Sequence, residues 1–158
     1  MKARQGGFTF IELIVVIVIL GILAATAIPR YFALQTQARI AKLNGALGSV
    51  KGSMALSHGA CLATPTCTSA ATTVSAEGQN ITMINQYPTA DAAGILLVAG
   101  ITTSADEGFG ATGGGAAAGS TLTITVLGND PANCSFTYTS AAAANTAPVL
   151  GALNTAGC

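Results

Sequence analysis

The chain has 158 residues, room for one modest domain but not for two comfortable ones. Charged residues make up 8% of it and hydrophobic ones 51%, which excludes an intrinsically disordered chain. Six Lys and Arg balance six Asp and Glu beside a single His, too little positive charge to track phosphates and a thin supply for catalysis. A membrane protein or an exported, weakly charged one fits this balance.

Between Phe8 and Ile28 only Thr9, Glu12 and Thr26 are polar, and Leu13 to Ala25 is unbroken. As a helix this run spans about 30 Å, the thickness of a bilayer's hydrocarbon core, so one membrane pass is expected. Lys2 and Arg4 flank one end, while Arg30, Arg39 and Lys42 flank the other, so positive charge alone leaves the orientation open. Glu12 stands out as a carboxylate within the apolar run. It either reaches water at the membrane interface or awaits a positive partner, and nothing nearby in its own chain reads as one.

The helical pattern resumes after Pro29. Ile40, Leu43, Leu47, Val50 and Met54 share one face at a 3-4-3-4 spacing. A second stripe, Ala38, Ala41, Gly45, Gly48, Gly52, Ala55 and Gly59, repeats the same spacing with small residues. Each Gly costs a helix about 1 kcal/mol relative to Ala, so the stripe implies close approach of another backbone, a strand of this chain or a neighbouring helix. One long helix is expected over 8–58, apolar over 8–28 and amphipathic over 30–57, disturbed at Pro29 and at Gly21.

The period then changes, and 59–158 reads as a globular head. Thr72–Ala76 and Asn80–Ile84 are weak strand candidates, and Ala92–Ala99 a short helix. Gly108–Gly119, rich in Gly and Ala, reads as a mobile surface loop. Thr121–Leu127 and Asn133–Thr139 alternate cleanly around Gly128-Asn129-Asp130-Pro131, which predicts an antiparallel hairpin. Pro148–Leu153 adds a strand at an edge, where a proline is tolerated. The four cysteines, all in this part, point to two disulfides and an oxidising compartment outside the cytoplasm. Three pairings are possible. No Cys-x-x-Cys pair is present and His58 stands alone, so no metal and no cofactor are expected. His58 reads as a solvated or capping residue at the helix end.

The run Gly6-Gly7-Phe8-Thr9-Phe10-Ile11-Glu12, behind a short basic leader and ahead of the apolar segment, resembles the N-terminal signature of type IV pilins and of the pseudopilins of type II secretion. The resemblance implies the α+β type IV pilin fold, a long N-terminal helix packed against an antiparallel sheet. It implies that a prepilin peptidase removes the leader, 1–7, after Gly7 and that Phe8 becomes the N-methylated first residue. The family's acid at the fifth mature position falls on Glu12, where it would neutralise the amine of an adjacent subunit. Phe10 departs slightly, Leu being commoner there. Further on, Ala24-Ala25-Thr26-Ala27-Ile28-Pro29-Arg30-Tyr31-Phe32 resembles the mannose-sensitive haemagglutinin type of pilin, and Tyr87-Pro88-Thr89 is similar to a short run of major pseudopilins. Pilins close their C-terminal region with a disulfide. That outline, together with nearness in sequence, favours Cys61 with Cys67 and Cys134 with Cys158.

The resulting expectation is a structural subunit, not an enzyme: held in the bacterial inner membrane with its head in the periplasm, then assembled by an inner-membrane platform into an extracellular helical homopolymer. No nucleic-acid partner is expected from the charge. Two alternatives use the same residues. One is a pseudopilin of a type II secretion system. The other is a secreted periplasmic domain, freed by an ordinary signal peptidase after Ala25-Thr26-Ala27.

Overall fold

A computed structural model describes residues 8–158. The leader, including Gly7, lies outside the described residues. Helix α1 runs from Phe10 to Leu62, through Gly21 and Pro29 without a break and a few residues past the expected end. The chain divides between Gln37 and Ala38 into two compact units.

In the N-terminal unit, every described residue from Phe8 to Leu34 is exposed except half-buried Ile14. This part of α1 is long and apolar enough to cross a membrane. Its start is a reciprocal capping box. Glu12 Oε2 accepts from the Thr9 amide at 2.9 Å and from the Thr9 hydroxyl at 2.7 Å, and the Glu12 amide reaches back to Thr9 Oγ1 at 3.3 Å. A threonine at the cap with a glutamate three residues on satisfies amides that the first helical turn otherwise leaves unpaired.

In the second unit, Leu43 and Val50 are buried, and Ile40, Leu47 and Met54 pack against the same core. The small stripe lies on the opposite face: Ala38, Ala41, Gly45, Gly48, Gly52, Ala55 and Gly59 are all exposed. A Cβ added at any of the four glycines would meet nothing within 4 Å. Among the described residues no strand approaches the glycines of the stripe, which corrects one of the two expectations for it.

Two antiparallel sheets follow. The first has strands β1 (Thr72–Ala76), β2 (Gln79–Ile84) and β3 (Tyr87–Pro88) in sequence order. Its two hairpin turns, Glu77-Gly78 and Asn85-Gln86, place all four residues at positive φ, the primed geometry that matches strand twist. A short helix, α2 (Ile95–Val98), leads to the second sheet, of β4 (Phe109–Gly113), β5 (Thr121–Val126), β6 (Ser135–Thr139) and β7 (Val149–Leu150). The β5–β6 hairpin pairs Leu122 with Tyr138 and Ile124 with Phe136, all four buried. Strand β7 lies at the sheet edge beyond Pro148.

Strand β4 corrects the expectation of a mobile loop over Gly108–Gly119. Its backbone ladder with β5 runs from Phe109–Val126 to Gly113–Leu122 and needs no side chains of its own. The glycines are there for clearance. A Cβ at Gly110 would sit 2.7 Å from Thr125 Oγ1, and one at Gly114, at φ +83°, would meet the Ala90 carbonyl.

The head holds two apolar clusters. The larger joins α1, α2 and the second sheet around Leu43, Val50, Ile95, Ile124 and Phe136. The smaller gathers Val74, Ile81 and Met83 around Cys61 and Cys67. Two buried struts cross between the sheets: the Tyr138 hydroxyl donates to the Pro88 carbonyl at 2.7 Å, and Asn85 Nδ2 to the Ala141 carbonyl at 2.9 Å. Tyr138→Phe is therefore expected to destabilise the head by about 1–3 kcal/mol in equilibrium denaturation, because it strands a buried carbonyl. Burial raises the Tyr138 phenol above its usual range. Its contribution to stability is then intact below the ordinary tyrosine pKa of about 10 and falls as pH rises beyond it; the Phe variant should lose this alkaline dependence.

Candidate functional site

The chemistry-bearing residues of the N-terminus lie within the first described turns. Phe8 is 84% exposed and precedes the capping box. Glu12, expected to await a positive partner, is bonded among the described residues to neutral donors only, the amide and hydroxyl of Thr9. The Thr-x-x-Glu spacing ahead of an apolar run carried that signal in the sequence. Thr9 is thus the residue that reading the sequence missed. The box uses one carboxylate oxygen for both bonds, so Glu12 keeps a second oxygen for a further donor.

The cysteines are joined Cys61 to Cys67 and Cys134 to Cys158, with Cα–Cα distances of 5.3 and 4.8 Å. The first bridge closes the end of α1. The second anchors the C-terminal segment, which also returns to the sheet through Ser135–Asn154 pairing and a bond from the Gly157 amide to the Asn133 carbonyl. Two cations of α1 hold loops of the head by their backbones. Arg39 Nη1 donates to the Cys158 carbonyl at 2.8 Å and packs beneath Gly128, where a Cβ would meet its guanidinium. Lys42 donates to the Glu107 carbonyl and sits 4.3 Å from the centre of the Phe109 ring.

His58 stacks flat on Tyr87, ring centres 4.1 Å apart, with Nδ1 3.0 Å from the Gln86 carbonyl. It secures the strained Asn85-Gln86 turn against α1. Among the described residues no three His, Cys, Asp or Glu side chains are grouped so as to hold a metal ion. The residues with chemistry left to do are those of the N-terminal turn.

Residues 2–28 match the family model described as the prokaryotic N-terminal methylation motif. Among characterised proteins, the chain is similar to the type IV narrow pilus major component PilA5 of Thermus thermophilus, 42% identical over 64 residues, covering 40% of this chain and 55% of the relative. It is also similar to the type IV major fimbrial protein FimA of Dichelobacter nodosus, 41% identical over 51 residues, 32% of this chain and 33% of that one. The type II secretion system core protein G of Pseudomonas aeruginosa is 38% identical over 53 residues, 34% of this chain and 37% of its own. The chain thus spans between a third and about half of the length of these relatives. No solved structure matches it significantly. Through its N-terminal segment the chain carries the prokaryotic N-terminal methylation motif and is similar to type IV pilins and to a type II secretion core protein.

Proposed function

We propose that this chain is the structural subunit of a type IV pilus, not an enzyme. It is inserted in the bacterial inner membrane with its head in the periplasm, cut between Gly7 and Phe8 by a prepilin peptidase, methylated at Phe8, and assembled by an inner-membrane platform into an extracellular helical homopolymer. The observation that carries this reading is the methylation motif joined to a helix that is exposed from Phe10 to Leu34, Ile14 aside, and unbroken in apolar residues from Leu13 to Ala25. Such a surface needs lipid or other stems around it.

Several features support the finer points. Two disulfides in the head suit an oxidising compartment, which orients the helix with its C-terminal side outward. The exposed small stripe leaves room for a neighbouring stem to lie close. Glu12 would set register: an unpaired charge within packed apolar stems penalises misalignment, and the amine of an adjacent Phe8 would relieve it. The similarity to core protein G keeps a pseudopilin as the second reading.

The test is the intact, non-reduced mass of protein sheared from the cell surface, with N-terminal fragment ions. The expected species begins at methylated Phe8 and is lighter by four hydrogens for two disulfides. A species beginning at Ile28 would replace the filament reading with a secreted domain. Mature protein that stays on the cell, with sheared fractions empty and secretion lost on deletion, would favour the pseudopilin.

A further inference from the structure

Immediately beyond the apolar run and Pro29 come Arg30, Tyr31 and Phe32, all exposed, the two rings at 62% each. Consecutive helical residues project about 100° apart, so these three side chains wrap more than half of the helix circumference. Leu34 adds a third large exposed apolar side chain about one turn on from Tyr31, and Gln35, Thr36 and Gln37 then bring a polar stretch. Large exposed rings are costly in water and gain nothing in a helix that simply enters solvent.

Their place along the stem accounts for them. From Phe8 to Ile28, 21 residues rising 1.5 Å each span about 31 Å, one hydrocarbon core. The aromatic and basic residues begin where that length runs out. A Tyr ring favours the boundary between acyl chains and headgroups, where its hydroxyl meets water. An Arg at the same level lays its methylenes on the apolar layer and offers its guanidinium to lipid phosphate, a planar donor fork to a matching anion.

We infer that Arg30, Tyr31 and Phe32 form a collar that docks on the phospholipid headgroup layer and fixes how deep the stem sits before assembly. This rests on the membrane-inserted state proposed above. It has a consequence at the far end of the same unit. Glu12 lies 18 residues from Arg30, about 27 Å along the helix, so the collar brings the carboxylate and its Thr9 box to the opposite headgroup layer and not to the apolar midplane. Gly21, nine residues away and about 14 Å deep, falls near that midplane.

The experiment uses the full-length processed chain in vesicles of phosphatidylethanolamine and phosphatidylglycerol. Single reporters, Gly21→Cys or Ala33→Cys, carry an environment-sensitive fluorophore, and their depth is read by quenching from lipids brominated at known positions. The native cysteines are all paired, a Cβ at Gly21 meets nothing within 4 Å, and Ala33 is exposed, so both reporter positions have room for a label. The native collar should place the residue 21 label near the midplane and the residue 33 label among the headgroups. The triple variant Arg30→Ser, Tyr31→Ser, Phe32→Ser should shift the residue 21 label by about 3 Å or more, two residues of helical rise, while Arg30→Lys, Tyr31→Trp, Phe32→Trp should hold the native depth. Unchanged depth in the serine variant would overturn the collar and leave insertion standing. A residue 21 label that no brominated lipid quenches in the native chain would overturn insertion itself.

Discussion

Glu12→Ala is expected to leave membrane insertion and leader cleavage intact while reducing sheared surface filaments at least tenfold. The substitution removes two things together, the acceptor of the Thr9 box and a negative charge, and Glu12→Gln separates them. A glutamine at the third helical position keeps an acceptor oxygen for the Thr9 amide and hydroxyl, so the helix start survives. It carries no charge, so it cannot attract the amine of a neighbouring Phe8. If charge sets register, Gln should fail like Ala, with processed subunit accumulating in the membrane fraction. The measurement is the ratio of sheared to cell-bound mature subunit by quantitative mass spectrometry. Filaments from the Gln variant at native yield would reduce Glu12 to a helix cap and sink the register role.

Removing the Cys134–Cys158 bridge should have the largest effect on the head. The two cysteines are 24 positions apart, and in the chain-entropy model a loop of that size is worth about 3–4 kcal/mol. Both side chains also sit in the larger apolar cluster, so the paired Ser variant adds the cost of burying hydroxyls there. The head's melting temperature should fall by on the order of 10 °C. The Cys61–Cys67 bridge spans six positions and is worth about 2 kcal/mol, so its paired Ser variant should fall less. Calorimetry of both variants checks the order; equal losses would show that unfolded-chain entropy does not govern them. Arg39 makes the first case sharper, because its bond to the Cys158 carbonyl ties α1 to the segment that the bridge anchors.

Much of this architecture was legible wherever residues alternate or recur. The face of Ile40, Leu43, Leu47, Val50 and Met54 packs against the core, and the β5–β6 hairpin follows the apolar alternation of Leu122, Ile124, Phe136 and Tyr138. What failed did so for physical reasons. Strand β4 reads Phe-Gly-Ala-Thr-Gly, where only Phe109 and Ala111 mark an inward face, too little alternation to stand out in a Gly- and Ala-rich stretch; its strand state comes from the ladder offered by β5 and from clearances at Gly110 and, just beyond the strand, Gly114 that only tertiary structure reveals. Helix α1 outruns Gly59 because the end of the helix is held by Cys61 and its partner, a constraint invisible to local propensity. At the N-terminal turn Thr9 and Glu12 stand at capping-box spacing, but a carboxylate in an apolar run reads equally as a charge awaiting a cation, and only the folded geometry shows that Thr9 takes one of its oxygens.

The stripe positions of α1 from Ala38 to Ala55 carry no side chain larger than a methyl group, and exposed Leu56 stands at the end of the strip. A neighbouring helix laid along it would meet almost the same surface after sliding one turn up or down. Dispersion forces there would hold the two together while discriminating weakly between axial offsets. In the filament proposed above, adhesion and indexing would then be separate jobs: the smooth strip would give grip with freedom to glide, and the Glu12 carboxylate would supply the detent.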